Sequence, residues 1–312
     1  MQLSSADEYH AVGRALAFEG LFRDAEAKFR LALNEEPGRT TALFDLGLAL
    51  MAQGRYREGF PYYAARFGLA GSRPKPRLPY PEWQGEPLSG KHIVLFPEQG
   101  LGDQIQMARF APVLRQMGAD VTLFCDAPLQ RLFEGLGTRT IAASGAVEFP
   151  DPDYLCMIMD LPGKLRSTLQ TLPSTPYLSA TPRPMGARIG VARRGKATHA
   201  NDARRSLPND LVLPFEALEL SPEVTGAKDF QDTADIIAGL DLVVSVDTSI
   251  AHLAGALGKP CWLLLPRQGI DWRWMTNRTD SPWYPSMRLY RQEVADDWVG
   301  VLKRVATDLE AQ

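Results

Sequence analysis

The stretch Val244-Ser-Val-Asp-Thr-Ser-Ile-Ala-His-Leu-Ala-Gly-Ala-Leu-Gly-Lys-Pro260 decides the reading of this chain. The residues leading to Val246 are apolar and β-branched, as a central parallel strand requires. Asp247, Thr248 and Ser249 are residue types that cap a following helix. The spacing predicts a strand over 241–246 and a helix over 249–257, joined by a tight turn. Backbone N–H groups at such a turn have no partner within the helix, so a diphosphate placed there gains hydrogen bonds and a helix-dipole interaction of roughly 0.3–1 kcal/mol each. His252 falls in the first turn of that helix, within reach of the same anion. An ordinary strand-to-helix connection with a solvated histidine fits the same spacing, so both readings stay open.

Outward from this segment, strands and helices alternate from His92 onward. Strands are expected at 92–97, 119–125, 154–159, 188–192 and 261–265. Helices are expected at 103–117, 128–136, 231–239 and 295–309. Such alternation implies parallel sheets with right-handed crossovers, in two doubly wound halves. The first seventy residues differ. Gly13 recurs as Gly47 and Gly20 as Gly54, a period of 34, which is the length of a stacked helix-turn-helix repeat. Four helices are expected, at about 6–19, 22–35, 41–53 and 56–68. Ala25, Phe29, Ala32 and Pro37 occupy places that the tetratricopeptide pattern prefers. Two repeats are fewer than an independent array needs, so they are expected to lean on the next domain, and their groove either docks a partner or buttresses the fold. Residues 71–90 are rich in proline and read as a stiff linker, pinned to a surface by Trp83.

Composition bounds the function. The 312 residues carry 34 Lys and Arg against 37 Asp and Glu, a net charge of −3 that argues against a nucleic-acid partner. Cys125, Cys156 and Cys261 lie in apolar, strand-like settings and read as buried thiols. The first residues lack the pattern of a signal peptide and no apolar run is long enough to span a membrane, so a cytoplasmic protein is expected. The histidines (10, 92, 199 and 252) show no metal-ligand spacing, and no metal or cofactor is expected. No nucleophile elbow is present.

Three further segments hold chemistry. Phe96-Pro-Glu-Gln-Gly-Leu-Gly-Asp-Gln-Ile-Gln106 ends the first strand, and Gly100 and Gly102 let its backbone turn sharply and approach a ligand. Glu98 and Asp103 stand beside that turn. A carboxylate there either serves as a general base or, in the case of Asp103, simply caps the helix. The segment 190–206 is the most basic of the chain, and Arg205 lies near its end. Its arginines either clamp a leaving diphosphate or form a solvated loop. Residues 266–292 pack Trp272, Trp274 and Trp283 among arginines and aspartates, as stacking faces for a ligand or as a hydrophobic knot. Asp271 and Arg273 are the better ligand candidates of that segment. The Gly-x-Gly-x-x-Gly pattern of a nucleotide-sugar epimerase is absent.

Taken in order, Glu98-Gln-Gly-Leu-Gly-Asp-Gln-Ile-Gln, His199-x-Asn-Asp-x-x-Arg-Ser206, Asp229-Phe-x-Asp-Thr-Ala, Asp247-Thr-Ser-x-Ala-His-Leu-Ala-Gly-Ala-Leu-Gly-Lys-Pro, Asp271-Trp-Arg-Trp and Ser281-Pro-Trp-Tyr-Pro resemble bacterial tetratricopeptide-glycosyltransferase fusion proteins. The catalytic part of these proteins is similar to heptosyltransferase-like enzymes. The resemblance implies an α/β fold of GT-B type, a pair of Rossmann-type lobes preceded by an all-α tetratricopeptide segment. It divides the chain into repeats (1–70), linker (71–90), an acceptor-side lobe (91–185) and a nucleotide-sugar lobe (186–312). It implies an inverting, metal-independent transfer of sugar from a nucleotide-sugar donor to a protein or glycan, flagellins being among the acceptors of such relatives. Asp103 takes the place of the proposed base, and Asp247, Thr248, Ser249 and His252 that of the donor-phosphate site. A non-catalytic scaffold that kept the fold is the rival reading. Two departures stand out. Arg193 replaces a tryptophan of the relatives, which makes the cleft wall basic. Only about twenty residues separate Ser206 from Asp229. A full strand and helix are expected to be missing there, leaving a narrower sheet.

Overall fold

The computed structural model describes residues 4–72, 74–145, 148–198 and 201–311. Chain contacts divide it into two compact units.

The helical unit holds residues 1–78 together with 162–172 and 267–278. Its helices are α1 (Ser5–Phe18), α2 (Phe22–Glu35), α3 (Thr40–Ala52) and α4 (Tyr56–Tyr63), the last running on in a 3-10 turn over Ala64–Gly68. The 34-residue period is used twice in the same way. Gly20 and Gly54 turn the chain at φ of +78° and +77°. Gly13 and Gly47 let paired helices touch: a Cβ at Gly13 would lie 2.6 Å from the Phe29 ring, and one at Gly47 2.8 Å from the Tyr63 nitrogen. Buried polar pairs join the hairpins. His10 Nε2 lies 2.8 Å from Asp45 Oδ2, and Glu26 accepts from Arg55 at 2.7 Å and Gln53 at 2.9 Å. Two later segments of the chain pack onto the repeats inside this unit. Trp272 stands edge-on to Tyr56 (5.8 Å) and Phe60 (5.9 Å), Leu169 packs on Gly54, and Gly269 N–H donates to the Phe18 carbonyl at 2.8 Å.

The larger unit holds 79–161, 173–266 and 279–312. It is mixed α/β with two all-parallel sheets. The first contains β1 (His92–Phe96), β2 (Asp120–Cys125), β3 (Arg139–Ala142) and β4 (Tyr154–Met157) in the order β3-β2-β1-β4. Its helices are α5 (Leu101–Ala108), α6 (Phe110–Gln116) and α7 (Gln130–Glu134), and the short α8 (Leu161–Lys164) follows β4. One helix expected over 103–117 is thus two, because Pro112 cannot donate and its ring would clash with the Ala108 carbonyl, where α5 ends. The strand expected to reach 159 stops at Met157, and Ile158–Asp160 form a 3-10 turn. On one face of this sheet Phe96, Phe124 and Phe149 stack with centroids 5.5–6.1 Å apart. The proline-rich segment is pinned as expected: Trp83 is wholly buried, its N–H donates to the Leu155 carbonyl at 2.8 Å, and its indole donates to the Glu86 carbonyl.

The second sheet contains β5 (Ile189–Ala192), β6 (Leu218–Glu219), β7 (Leu242–Val246), β8 (Cys261–Leu265) and β9 (Met287–Arg291) in the order β6-β5-β7-β8-β9. Its helices are α9 (Asp202–Arg205), α10 (Pro222–Thr225), α11 (Phe230–Ala238), α12 (Ser249–Ala256) and α13 (Trp298–Glu310). Trp298, Val301, Leu302 and Val305 of α13 bury one helix face against Val191, Val244, Trp262 and Leu264. The full strand and helix expected to be missing between Ser206 and Asp229 are indeed reduced to a remnant: β6 is two residues long, pairing with β5 at Gly190 and Val191, and the four-residue α10 follows it. Arg193 donates to the Pro208 and Leu211 carbonyls of this segment. Its guanidinium therefore secures the short connection.

Candidate active site

In each sheet the strand order reverses once, between β1 and β4 and between β5 and β7. Ligands of open α/β sheets bind outside the carboxyl ends of the strands at such reversals. The joints β1–α5 and β7–α12 lie there, with β5–α9 beside the second, and they carry most of the residues singled out in the sequence.

At the first joint Gly100 precedes α5, and its N–H donates to Asp103 Oδ2 at 2.9 Å. Asp103 therefore does cap the helix, through one oxygen, while remaining partly exposed. Gln99 before it sits at φ +61°, a left-handed conformation rare outside glycine, and marks strain at the tip of the turn. Glu98 is buried, and its Oε1 accepts the Met159 N–H at 3.2 Å, which ties the turn to the 3-10 turn that follows β4.

At the second joint Thr248 caps α12, its Oγ1 accepting from Ile250 N–H at 3.2 Å. Arg205 donates from Nη1 to the Asp247 carbonyl at 2.9 Å and from Nε to Asp202 at 3.3 Å. The same Asp202 oxygen accepts from the Ser206 hydroxyl, which in turn accepts the Gly195 N–H. A guanidinium is thus fixed over the turn that opens α12. His199 lies outside the described residues.

The two joints meet. A Cβ on Gly102 would stand 2.9 Å from His252 Cδ2 and 3.3 Å from Ser249 Cα, so the first turn of α5 lies directly on the first turn of α12. Gly102 serves this approach of two helices. Two positive helix ends therefore converge near the Asp103 carboxylate and the Arg205 guanidinium. His252 is buried, with Nδ1 2.9 Å from the Tyr284 hydroxyl.

Behind this point lies a feature that motif reading missed. Arg109, at the junction of α5 and α6, is 2% exposed. It donates to the carbonyls of Gln106 (2.7 Å), Pro173 (3.0 Å) and Trp283 (2.6 Å). Its guanidinium lies 4.5 Å from the Tyr284 ring centroid, 5.0 Å from Tyr177 and 5.1 Å from Trp283. Trp283 is thus part of a buried knot. At the periphery, Arg131 of α7 pairs with Asp229 (2.6 Å) and Asp232 (3.1 Å) at the start of α11.

Asp271 and Arg273 belong to the helical unit. Asp271 Oδ1 accepts from the Arg273 backbone at 2.9 Å, both carboxylate oxygens receive its Nη1 at 3.0 Å, and the guanidinium covers the Trp272 ring at 4.5 Å. Among the described residues there is no cluster of three or more His, Cys, Asp or Glu able to hold a metal, and no helix is long and apolar enough to cross a membrane. Burial pushes the Cys125 and Cys261 thiols up to about 12, so they are inert at neutral pH. Cavities of about 490 Å³ along β9 and α13 and about 740 Å³ at the amino ends of β5, β6 and β7 lie away from these joints.

The sequence profile of glycosyltransferase family 9 (heptosyltransferase) matches residues 212–263, which takes in β6, α11, β7 and α12. Protein FlbA of Caulobacter vibrioides is 28% identical over an alignment covering 93% of this chain and 58% of that protein, so the chain spans little more than half the length of this curated relative. Among solved structures, a glycosyl transferase family 9 protein from Veillonella parvula DSM 2008 aligns at 12% identity and a TM-score of 0.49, covering 73% of this chain and 99% of that one. The iron-containing dodecameric heptosyltransferase TibC in complex with ADP-D-beta-D-heptose aligns at 10% and 0.44, covering 72% and 77%. TibC from enterotoxigenic E. coli H10407 aligns at 13% and 0.43, covering 71% and 77%. The chain's similarity to the heptosyltransferase family thus falls on the strand, turn and helix from which its reading began.

Proposed function

We propose that the protein is a glycosyltransferase that moves a sugar, with inversion and without a metal ion, from a nucleotide-sugar donor to a protein or glycan acceptor. The observation that carries this reading is the meeting of the α5 and α12 first turns at Gly102 and Ser249. The larger unit is read as a GT-B-type pair of Rossmann-like lobes and the helical unit as tetratricopeptide repeats that dock the acceptor. In the donor complex, the diphosphate lies at the amino end of α12, near Thr248 and Ser249. Arg205 and the two helix ends supply the positive charge that a divalent cation would otherwise bring. The acceptor hydroxyl or amide nitrogen attacks the anomeric carbon, the bond to the diphosphate breaks, and the electron pair leaves on the nucleoside diphosphate. The acceptor's proton passes to the Asp103 carboxylate.

Asp103→Asn isolates the base. Asparagine keeps an oxygen to cap Gly100 but has no basic carboxylate. Transfer is expected to fall about 100- to 1,000-fold, within the range of general-base catalysis, with calorimetric affinity for the donor within a few-fold. Unchanged turnover removes Asp103 from the chemistry. Turnover that survives EDTA supports metal independence, and loss of turnover there refutes it.

A further inference from the structure

The loop that follows β5 is closed by its own hydrogen bonds. Leu207 N–H donates to the Arg193 carbonyl at 2.8 Å, which brings the two ends of the loop together. Within it, Gly195 N–H donates to Ser206 Oγ at 3.1 Å, and Asp202 Oδ1 lies 3.1 Å from Ser206 Oγ and 3.3 Å from Arg205 Nε. A carboxylate only accepts, so the Ser206 hydroxyl and the Arg205 Nε–H both donate to Asp202. Asp202 reaches them because residues three and four places on share its face of the single-turn α9. The pair is enclosed. The Arg205 and Asp202 side chains are 13% and 16% exposed, and a Cβ on Gly195 would collide with Arg205 Nη2 and stand 2.5 Å from Asp202 Oδ1. Ala192 of β5 lies opposite Ser245 of β7, so this loop and the turn that opens α12 leave the sheet side by side. Arg205 spans the two through its Nη1 bond to the Asp247 carbonyl.

We infer that Asp202 is a positioning residue: it holds Arg205 by Nε and so fixes the guanidinium over the turn that opens α12, ready for the donor's diphosphate. This rests on the reading of the α12 amino end as the donor's anchor. A guanidinium is a planar fork of donors, so anchoring Nε on Asp202 and Nη1 on the Asp247 carbonyl sets the direction of the whole group. Ser206 and Gly195 in turn hold Asp202. Charge and position pull in opposite directions here. Asp202 is a negative group beside the anion site, so on Coulombic grounds alone its removal strengthens the binding of a diphosphate. Positioning demands the reverse, because an arginine released from Asp202 regains its rotamers and must be ordered again by the ligand.

The test is calorimetry of the full chain with ADP, GDP and UDP. Asp202→Ala is expected to weaken the best binder about tenfold, whereas Asp202→Asn, which keeps an oxygen for Ser206 and for Arg205 Nε, stays within about threefold of the native protein. Gly195→Ala changes no charge but pushes the pair aside, and it is expected to weaken binding to a similar extent. In an Arg205→Met background Asp202→Ala is expected to have no further effect, since Asp202 acts through Arg205. Should Asp202→Ala fail to fold, as read by chemical denaturation, Gly195→Ala decides in its place. Unchanged or tighter binding in Asp202→Ala overturns the positioning role alone. A loss that persists undiminished in the Arg205→Met background overturns it too, because Asp202 then acts by another route. Failure of the native protein to bind any of the three diphosphates overturns the donor reading, and the positioning role falls with it.

Discussion

The joints β1–α5 and β7–α12 occupy corresponding places, each opening a helix at the carboxyl end of a strand beside its sheet's reversal point, yet they are built from opposite chemistry. At the first, the cap comes from inside the helix: Asp103 reaches back to Gly100, and the net charge left at the turn is negative. At the second, the cap comes from before the helix, through Thr248, and Arg205 donates to the Asp247 carbonyl while pairing with Asp202. On the proposed reading the first joint takes a proton and the second holds an anion, and Gly102 packs against Ser249 between them.

The comparison is broken most severely by Asp103→Asn, which removes the proposed base of the first joint and leaves the second intact. The next largest effect falls on what holds the joints together. Arg109→Met removes the donor to three buried carbonyls and the cation beneath Tyr177, Trp283 and Tyr284. A loss of about 3 kcal/mol is expected from the unsatisfied carbonyls and lost cation–π contacts, read as a lowered midpoint in chemical denaturation. An unmoved midpoint shows that the cage contributes packing alone. Arg131→Ala provides the control, because its ion pairs with Asp229 and Asp232 are half-exposed and worth at most about 1 kcal/mol.

The same contrast explains which parts of the molecule were legible in the sequence. Strands β1, β2, β7 and β8 and helices α11 and α12 announce themselves through short apolar runs and adjacent caps, and they lie within a residue or two of the expected bounds. Strands β3, β6 and β9 escaped because their signals are weak: Arg139-Thr-Ile-Ala is half polar, β6 is two residues long, and Met-Arg-Leu-Tyr-Arg lies in a run dense with aromatics and charge. The joints were visible because glycines, caps and carboxylates sit next to one another in the chain. The cage was not, because its partners are far apart: Arg109 and Trp283 are separated by 174 positions, and His252 and Tyr284 by 32. No local pattern encodes such a pairing. Asp271 and Arg273, the ligand candidates of residues 266–292, pair with one another.

Smaller changes separate charge from capping at the second joint. Arg205→Met deletes the cation over Asp247 while retaining the length of the side chain. Nucleoside diphosphate affinity is expected to fall about tenfold, by roughly one charge-assisted hydrogen bond, with the acid-base behaviour of turnover unaltered. A loss confined to turnover at constant affinity would assign Arg205 to the first joint's chemistry and erase the distinction between the two. Thr248→Ala is the mildest cut. It removes the Oγ1 that accepts the Ile250 N–H and is expected to cost about 1 kcal/mol of stability, whereas Thr248→Ser, which keeps the oxygen, is expected to be close to neutral. Asp103→Ala makes the corresponding cut at the first joint, since it deletes the oxygen that accepts the Gly100 N–H. If both alanine variants lose similar stability while only Asp103→Ala loses turnover beyond what its lower stability explains, capping is the property the two joints share and basicity is the property that divides them. If Thr248→Ala instead loses anion affinity out of proportion to its stability, its hydroxyl touches the donor, and the second joint binds through side chain as well as backbone.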